Sequence, residues 1–181
     1  MPAPQSRDER WFEDLFDRYH PHVLAYARRR LPSDAEDVAV DVFAAAWTER
    51  DRMPDAPLPW LYRCARNRVL TRQRSRNRHL RLTLKLTRLS PSAVSPQAAE
   101  SGDADEWTRR LFDVLPDAEI EILKLAIWEE LPLTEIAYVL GCSPGAARTR
   151  LYRARNHARE TLAALGHPAT GHSATTYPAT P

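Results

Sequence analysis

The stretch LTEIAYVLGCSPGAARTRLYRAR, residues 133–155, decides the fold class. Ile136, Ala137 and Leu140 recur at helical spacing behind Thr134, which is placed to cap a short helix. Gly141 supplies the left-handed residue that stops it, and Ser143 followed by Pro144 starts a second helix sharply. On that helix Ala147, Leu151 and Ala154 share an apolar face, while Arg148, Thr149, Arg150, Arg153 and Arg155 occupy the rest. Gly145 and Ala146 at its start permit close backbone approach, and a helix N-terminus suits a phosphate. The layout predicts a helix-turn-helix whose second helix is free to enter a major groove. A plain helical hairpin with a solvated arginine face fits the same periodicity. Turn chemistry and clustered arginines together favour DNA. They do not by themselves distinguish a repressor, an activator and an initiation factor.

Outward from this motif the chain stays helical. Residues 106–165 divide into four helical segments at Pro116, Pro132 and the Gly141-Cys142-Ser143 turn. Near the N-terminus Trp11, Phe12, Leu15, Phe16 and Tyr19 repeat at helical spacing, with a bend allowed at Pro21. Ser33 and Glu36 form a capping box for a helix bearing Val38, Val42, Phe43, Ala46 and Trp47. A third helix is predicted from about Pro59 to Arg78. Residues 81–89, RLTLKLTRL, alternate with period two, but a lone strand has no partner here, so a frayed helical extension is expected. The fold class is therefore all-α: a domain over 1–89, a flexible linker over 90–105, a helix-turn-helix domain over 106–165 and a disordered tail over 166–181. The Ser- and Pro-rich linker predicts two domains that move independently.

The chain has 181 residues and a net charge of +2, a total that conceals strong polarity. Residues 1–60 carry −4, residues 61–90 carry +10, residues 91–130 carry −7 and residues 131–181 carry +3. Of the 26 basic residues 24 are arginine, the side chain suited to phosphate forks and guanine edges, so the positive segments point to nucleic acid. Five isolated glycines exclude a glycine-rich phosphate cradle. No apolar stretch approaches the ~20 residues of a membrane span, and MPAPQSRDER lacks the apolar core of a signal peptide, so a cytoplasmic location is expected. Cys64 and Cys142 read as small apolar residues rather than ligands or a disulfide.

Three stretches in order carry a family resemblance: SDAEDVAVDVFAAAW (33–47), PWLYRCARNRVLTRQRSRNR (59–78) and LPDAEIEILKLAIWEELPLTEIAYVLGCSPGAARTRLYRAR (115–155). Together they resemble the two domains of bacterial sigma factors of the extracytoplasmic-function group, over about residues 11–78 and 107–165. The resemblance implies partners, namely RNA polymerase core enzyme, promoter DNA and an anti-sigma factor, and no cofactor. It also implies promoter-specific initiation for a stress or envelope-response regulon. The core-binding helix falls on Glu36, Asp37, Asp41, Val42 and Phe43. Asp37 and Asp41, at i,i+4, repel by a few tenths of a kcal/mol unless a partner relieves them. The minus-ten segment falls on Trp60, Arg63, Asn67, Arg68, Arg72 and Arg74, where Trp60 and Tyr62 are placed to stack on a splayed base. Minus-thirty-five contact falls on Ser143, Gly145, Ala146, Arg148, Thr149, Arg150, Arg153 and Arg155. Val40 stands where the family commonly has Gln, Thr71 where Asp is frequent, and GAARTR (145–150) for the commoner GTVKSR. These departures bear on promoter choice.

Two rivals differ in class. A stand-alone helix-turn-helix regulator leaves the +10 segment outside its DNA-reading domain, and titration with core polymerase separates it from a sigma factor. A helical metal enzyme built on Glu36, Asp37, Asp41, His20 and His22 lacks the repeated Glu-x-x-His of helical carboxylate sites. Neither catalytic nor metal-ligating residues are therefore assigned.

Overall fold

Helix α1, Glu9–Arg28, begins where the Asp8 carboxylate accepts the Trp11 N–H, and it runs through Pro21. The structure, a computed structural model, describes residues 7–87 and 103–167. All regular elements among them are helical: α1, α2 (Ala35–Thr48), α3 (Pro57–Thr87), α4 (Asp103–Val114), α5 (Asp117–Ile127), α6 (Leu133–Leu140) and α7 (Pro144–Ala164). Most of the expected linker (90–102) and the expected disordered tail from residue 168 lie outside the described residues.

The first three helices enclose one core. Leu15, Val23 and Tyr26 of α1, Val38, Val42 and Phe43 of α2, and Leu61, Ala65 and Val69 of α3 are buried. Phe12, Phe16, Phe43 and Trp47 interlock at ring separations of 4.9–6.5 Å, mostly edge to face, the arrangement that aromatic quadrupoles favour. Two prolines, Pro57 and Pro59, open α3, where their missing N–H groups cost nothing. The period-two segment continues α3 as helix to Thr87.

The capping box at Ser33 does not form. Pro32–Asp34 make a turn of 3-10 helix, so α2 starts one residue later behind Asp34, without a side-chain cap. Arg76 takes the Ser33 hydroxyl at 2.6 Å, and Glu36 pairs outward with Arg28 at 2.7 Å. Thr134 does not cap α6 either. Pro132 holds that position, and its extended φ/ψ starts the helix without a side-chain bond.

Helices α4 to α7 form the second domain around Ile122, Leu125, Ile136, Val139, Ala147 and Ala154. The two domains touch. The buried side chains of both belong to one continuous cluster, and α3 packs along α6. Arg29, Arg30 and Tyr26 near the end of α1 engage Glu121 and Glu129 of the second domain. The linker's composition carries no sign of this contact, which lies outside it.

Candidate nucleic-acid interface and its acidic neighbour

The helix-turn-helix is built as its sequence dictates. Gly141 adopts φ +65°, the left-handed conformation that ends α6, and Ser143 Oγ accepts the Ala146 N–H at 3.2 Å. Ala147, Leu151, Ala154 and Ala158 are the buried stripe of α7. Ser143, Gly145, Arg148, Thr149, Arg150, Arg153 and Arg155 are exposed, and Ala146 is half-buried. No ion pair among the described residues engages Arg148, Arg150, Arg153 or Arg155. Thr149 is spoken for, because its hydroxyl donates back to the Gly145 carbonyl at 3.1 Å. Tyr152, 67 % exposed among these arginines, was not singled out by sequence reasoning. Its signal is a large aromatic ring lying off the apolar stripe.

On α3 the arginines divide. Arg68 and Arg74 are exposed and make no ion pair among the described residues. Asn67 is also exposed, which excludes core packing for its side chain. Arg72 instead bridges Asp37 Oδ2 at 3.3 Å and Asp41 Oδ2 at 2.8 Å, and Arg76 holds Asp34 at 2.6 Å. Relief of the i,i+4 repulsion on α2 therefore comes from within the chain. Arg63 lies over the Tyr138 ring of α6 at 5.2 Å. Trp60 is half-buried. Tyr62 is corrected as a stacking residue, being buried with its ring 5.2 Å from that of Tyr26. Burial pushes its hydroxyl up to about 12.

On α2 the face beside Asp37 and Asp41 carries exposed Glu36 and Val40. Val42 and Phe43, which the resemblance includes in the core-binding helix and whose spacing puts them on its apolar face, are 0 % and 3 % exposed and belong to the core. They hold the helix from behind because α2 turns their positions toward α1 and α3. Among the described residues no group of three His, Cys, Asp or Glu is placed to hold an ion. His20 stacks on Phe16 at 4.5 Å instead. Cys64 and Cys142 are free and half-buried, and burial raises the Cys64 thiol to about 11, far from a reactive thiolate.

The arrangement gives two basic surfaces, on α3 and α7, and one acidic face on α2. Comparison with known proteins identifies the family. The family model of Sigma-70 region 2 matches residues 15–79, and that of Sigma-70, region 4 matches residues 105–157. The ECF RNA polymerase sigma factor ShbA of Streptomyces griseus subsp. griseus is 32 % identical over 162 residues, spanning 81 % of this chain and 84 % of its own. RNA polymerase sigma factor CarQ of Myxococcus xanthus is 33 % identical over 162 residues, spanning 85 % and 90 %. Among solved structures, the sigma factor RpoE in complex with the anti-sigma factor NepR from Bartonella quintana shares the fold, with TM-score 0.65 and 23 % identity over 85 % of this chain and 98 % of that one. CnrH in complex with the cytosolic domain of CnrY aligns at TM-score 0.59 and 26 % identity, covering 88 % and 92 %.

Proposed function

The chain belongs to the sigma-70 family, in its extracytoplasmic-function group, and is an RNA polymerase sigma factor; from that premise we propose how its surfaces divide the work of initiation. The carboxylates of α2, Glu36 and Asp37 exposed and Asp41 half-buried, take core polymerase, with Val42 and Phe43 as their rigid backing. Along α3, Trp60, Arg63, Asn67, Arg68, Arg72 and Arg74 track and splay the minus-ten element, the arginines along phosphates and Trp60 against a base. Helix α7 enters the major groove at the minus-thirty-five element through Arg148, Thr149, Arg150, Arg153 and Arg155, with Tyr152 among them. Ser143, Gly145 and Ala146 bring its N-terminus to a phosphate.

The observation that carries this reading is the row of unpaired arginines on α7 above a correctly capped helix-turn-helix turn. A solvated structural face normally pairs such charges at i,i+3 or i,i+4, as Glu106, Arg109 and Arg110 do on α4. The chain acts by binding rather than by covalent chemistry. It works in the cytoplasm, on a stress or envelope-response regulon, under an anti-sigma partner. The last point is supported by the complexes in which CnrH and RpoE were solved. Run-off transcription with core enzyme on a promoter library tests the whole. Transcripts starting a fixed distance from shared minus-thirty-five and minus-ten sequences are expected, and none with saturating protein overturns the reading.

A further inference from the structure

We propose, resting on the sigma-factor reading above, that the chain inhibits itself: its helix-turn-helix domain closes over α3, and an ionic clasp of Arg29 and Arg30 on Glu121 and Glu129 holds it shut. Arg30 is the centre of the clasp. Its Nε donates to Glu121 Oε2 at 2.8 Å and its Nη1 to Glu129 Oε1 at 3.0 Å, with the Arg30 and Glu129 side chains 4 % and 1 % exposed. Its guanidinium lies 3.5 Å from the centre of the Tyr26 ring, and Tyr26 Oη donates to the second Glu121 oxygen at 2.9 Å. Arg29 pairs with the other Glu129 oxygen, and Lys124 Nζ reaches the Arg29 carbonyl at 3.3 Å.

Closure covers the start of α3. Arg63, a minus-ten candidate, is spent on Tyr138, and its Nη2 lies 4.0 Å from where a Cβ at Gly141 would stand. The helix that reads one element thus lies against the turn of the motif that reads the other. In B-form duplex the two elements are about 25 base pairs apart, or ~85 Å at ~3.4 Å per pair. Helix α3 itself, with 31 residues, is only ~46 Å long. A molecule with α3 packed on α6 cannot occupy both elements together.

The chemistry of the contact suits repeated opening. A permanent interface is largely apolar, resembling a core cut in half, whereas beside its apolar part this contact buries the charges of Arg29, Arg30, Glu121 and Glu129, which water solvates well once they part. Inside, the charges come close to breaking even: Arg29 Nε and Arg30 Nη2 are buried without a partner, and desolvation offsets much of the ion-pair attraction. The clasp shuts off neither of the outer surfaces. Glu36 and Asp37 of α2 and the α7 arginines stay exposed, so an arriving polymerase or promoter finds a foothold before the domains part.

The test uses the full chain. Small-angle scattering of the wild type is expected to fit the closed arrangement. Glu121→Gln with Glu129→Gln is expected to enlarge the radius of gyration by several ångströms at unchanged helicity, and to raise run-off transcript several-fold when the protein is limiting. In a Cys64→Ser, Cys142→Ser background, Arg29→Cys with Trp128→Cys is joined by a bismaleimide, since the two positions face each other across the contact, the Arg29 guanidinium lying 5.7 Å from the Trp128 ring centre. The tether is expected to remove most transcription relative to the same protein unjoined. This second arm holds even if the glutamine variant fails to fold. A wild-type curve that fits separated domains, or a tethered protein as active as the untethered one, overturns the proposal. If scattering shows closure and opening but no form binds core or yields transcript, the sigma-factor reading has failed and self-inhibition falls with it.

Discussion

Arg72 Nη2 stands 2.8 Å from Asp41 Oδ2, so a guanidinium of α3, proposed above to meet the promoter, is held by the acidic face of α2 proposed to meet polymerase. One residue thereby joins the two surfaces that sequence reasoning assigned separately. The pair is partly exposed, at 28 % and 43 %, and such pairs contribute only ~0.2–1 kcal/mol, so the fold does not depend on it.

Charge reversal separates its two roles. Asp37→Arg with Asp41→Arg is expected to abolish pull-down of core polymerase while circular dichroism stays helical and the melting point drops slightly. Adding Arg72→Glu restores the ion pairs with opposite polarity and should recover the melting point but not the pull-down. Recovery of both would mean that α2 contacts polymerase through something other than its carboxylates.

Much of this was legible in the chain. Gly141, Ser143 and Pro144 act within a few residues of themselves, so the helix-turn-helix follows from local chemistry alone. Local reasoning failed at Ser33, because Arg76, 43 residues away, takes its hydroxyl. At Val42 and Phe43 the apolar spacing already pointed inward, and both are buried. The clasp was illegible for a simpler reason. Its partners lie 91 to 100 residues apart, and nothing in a composition pairs Arg30 with Glu121 rather than with any other carboxylate.

Lys124 gives the closed state a pH dependence. Burial first, then Arg30 and Arg29, lower its ammonium from 10.5 to about 8, against the pull of Glu121 and Glu129. Below pH 8 both folded and unfolded chains keep the proton, and its cost is fully present. Above pH 8 the folded chain releases it while the unfolded chain still holds it, so stability rises with pH. The window closes near pH ~9.5, because Tyr26 and Tyr62 are raised by burial and begin to favour the unfolded state as tyrosines there ionise. Melting curves at pH 7, 8 and 9 should show this gain, and Lys124→Met should be the more stable at pH 7 and lose the slope. A slope unchanged by the substitution assigns it to another group.

Glu130 adopts φ +51°, left-handed backbone after α5, while the Leu131 N–H closes back on the Leu125 carbonyl at 3.1 Å. The conformation costs a side-chain-bearing residue ~1–2 kcal/mol, and glycine there loses ~0.5–1 kcal/mol in chain entropy. Glu130→Gly is therefore expected to leave stability unchanged or raise it by up to ~1 kcal/mol, a few degrees in melting temperature for a chain of this size. Glu130→Val should lower it. A glycine variant that melts well below the wild type would show that the carboxylate itself is needed.

The rotation of α7, which its sequence leaves open, is set by the buried stripe of Ala147, Leu151, Ala154 and Ala158. At ~100° per residue, Arg148 and Arg155 fall on one flank of the exposed face and Arg150 on the other, with Thr149 and Tyr152 between them. Arg148 and Arg150 lie in the N-terminal half, where a docked recognition helix reaches base edges, yet they point ~160° apart. Only one of them can reach the groove floor; the other meets a phosphate. A bidentate arginine–guanine contact discriminates by ~1–3 kcal/mol, while a lost phosphate contact weakens all sequences alike. In promoter-library transcription, either Arg148→Ala or Arg150→Ala, but not both, should relax the preference at one or two minus-thirty-five positions. The remaining variant, like Arg155→Ala, should lower output on every promoter and reduce the salt slope by about one. Relaxed preference in both contradicts the rotation, whereas unchanged preference in both moves base reading to Thr149 and Tyr152, where Tyr152→Ala would then alter it.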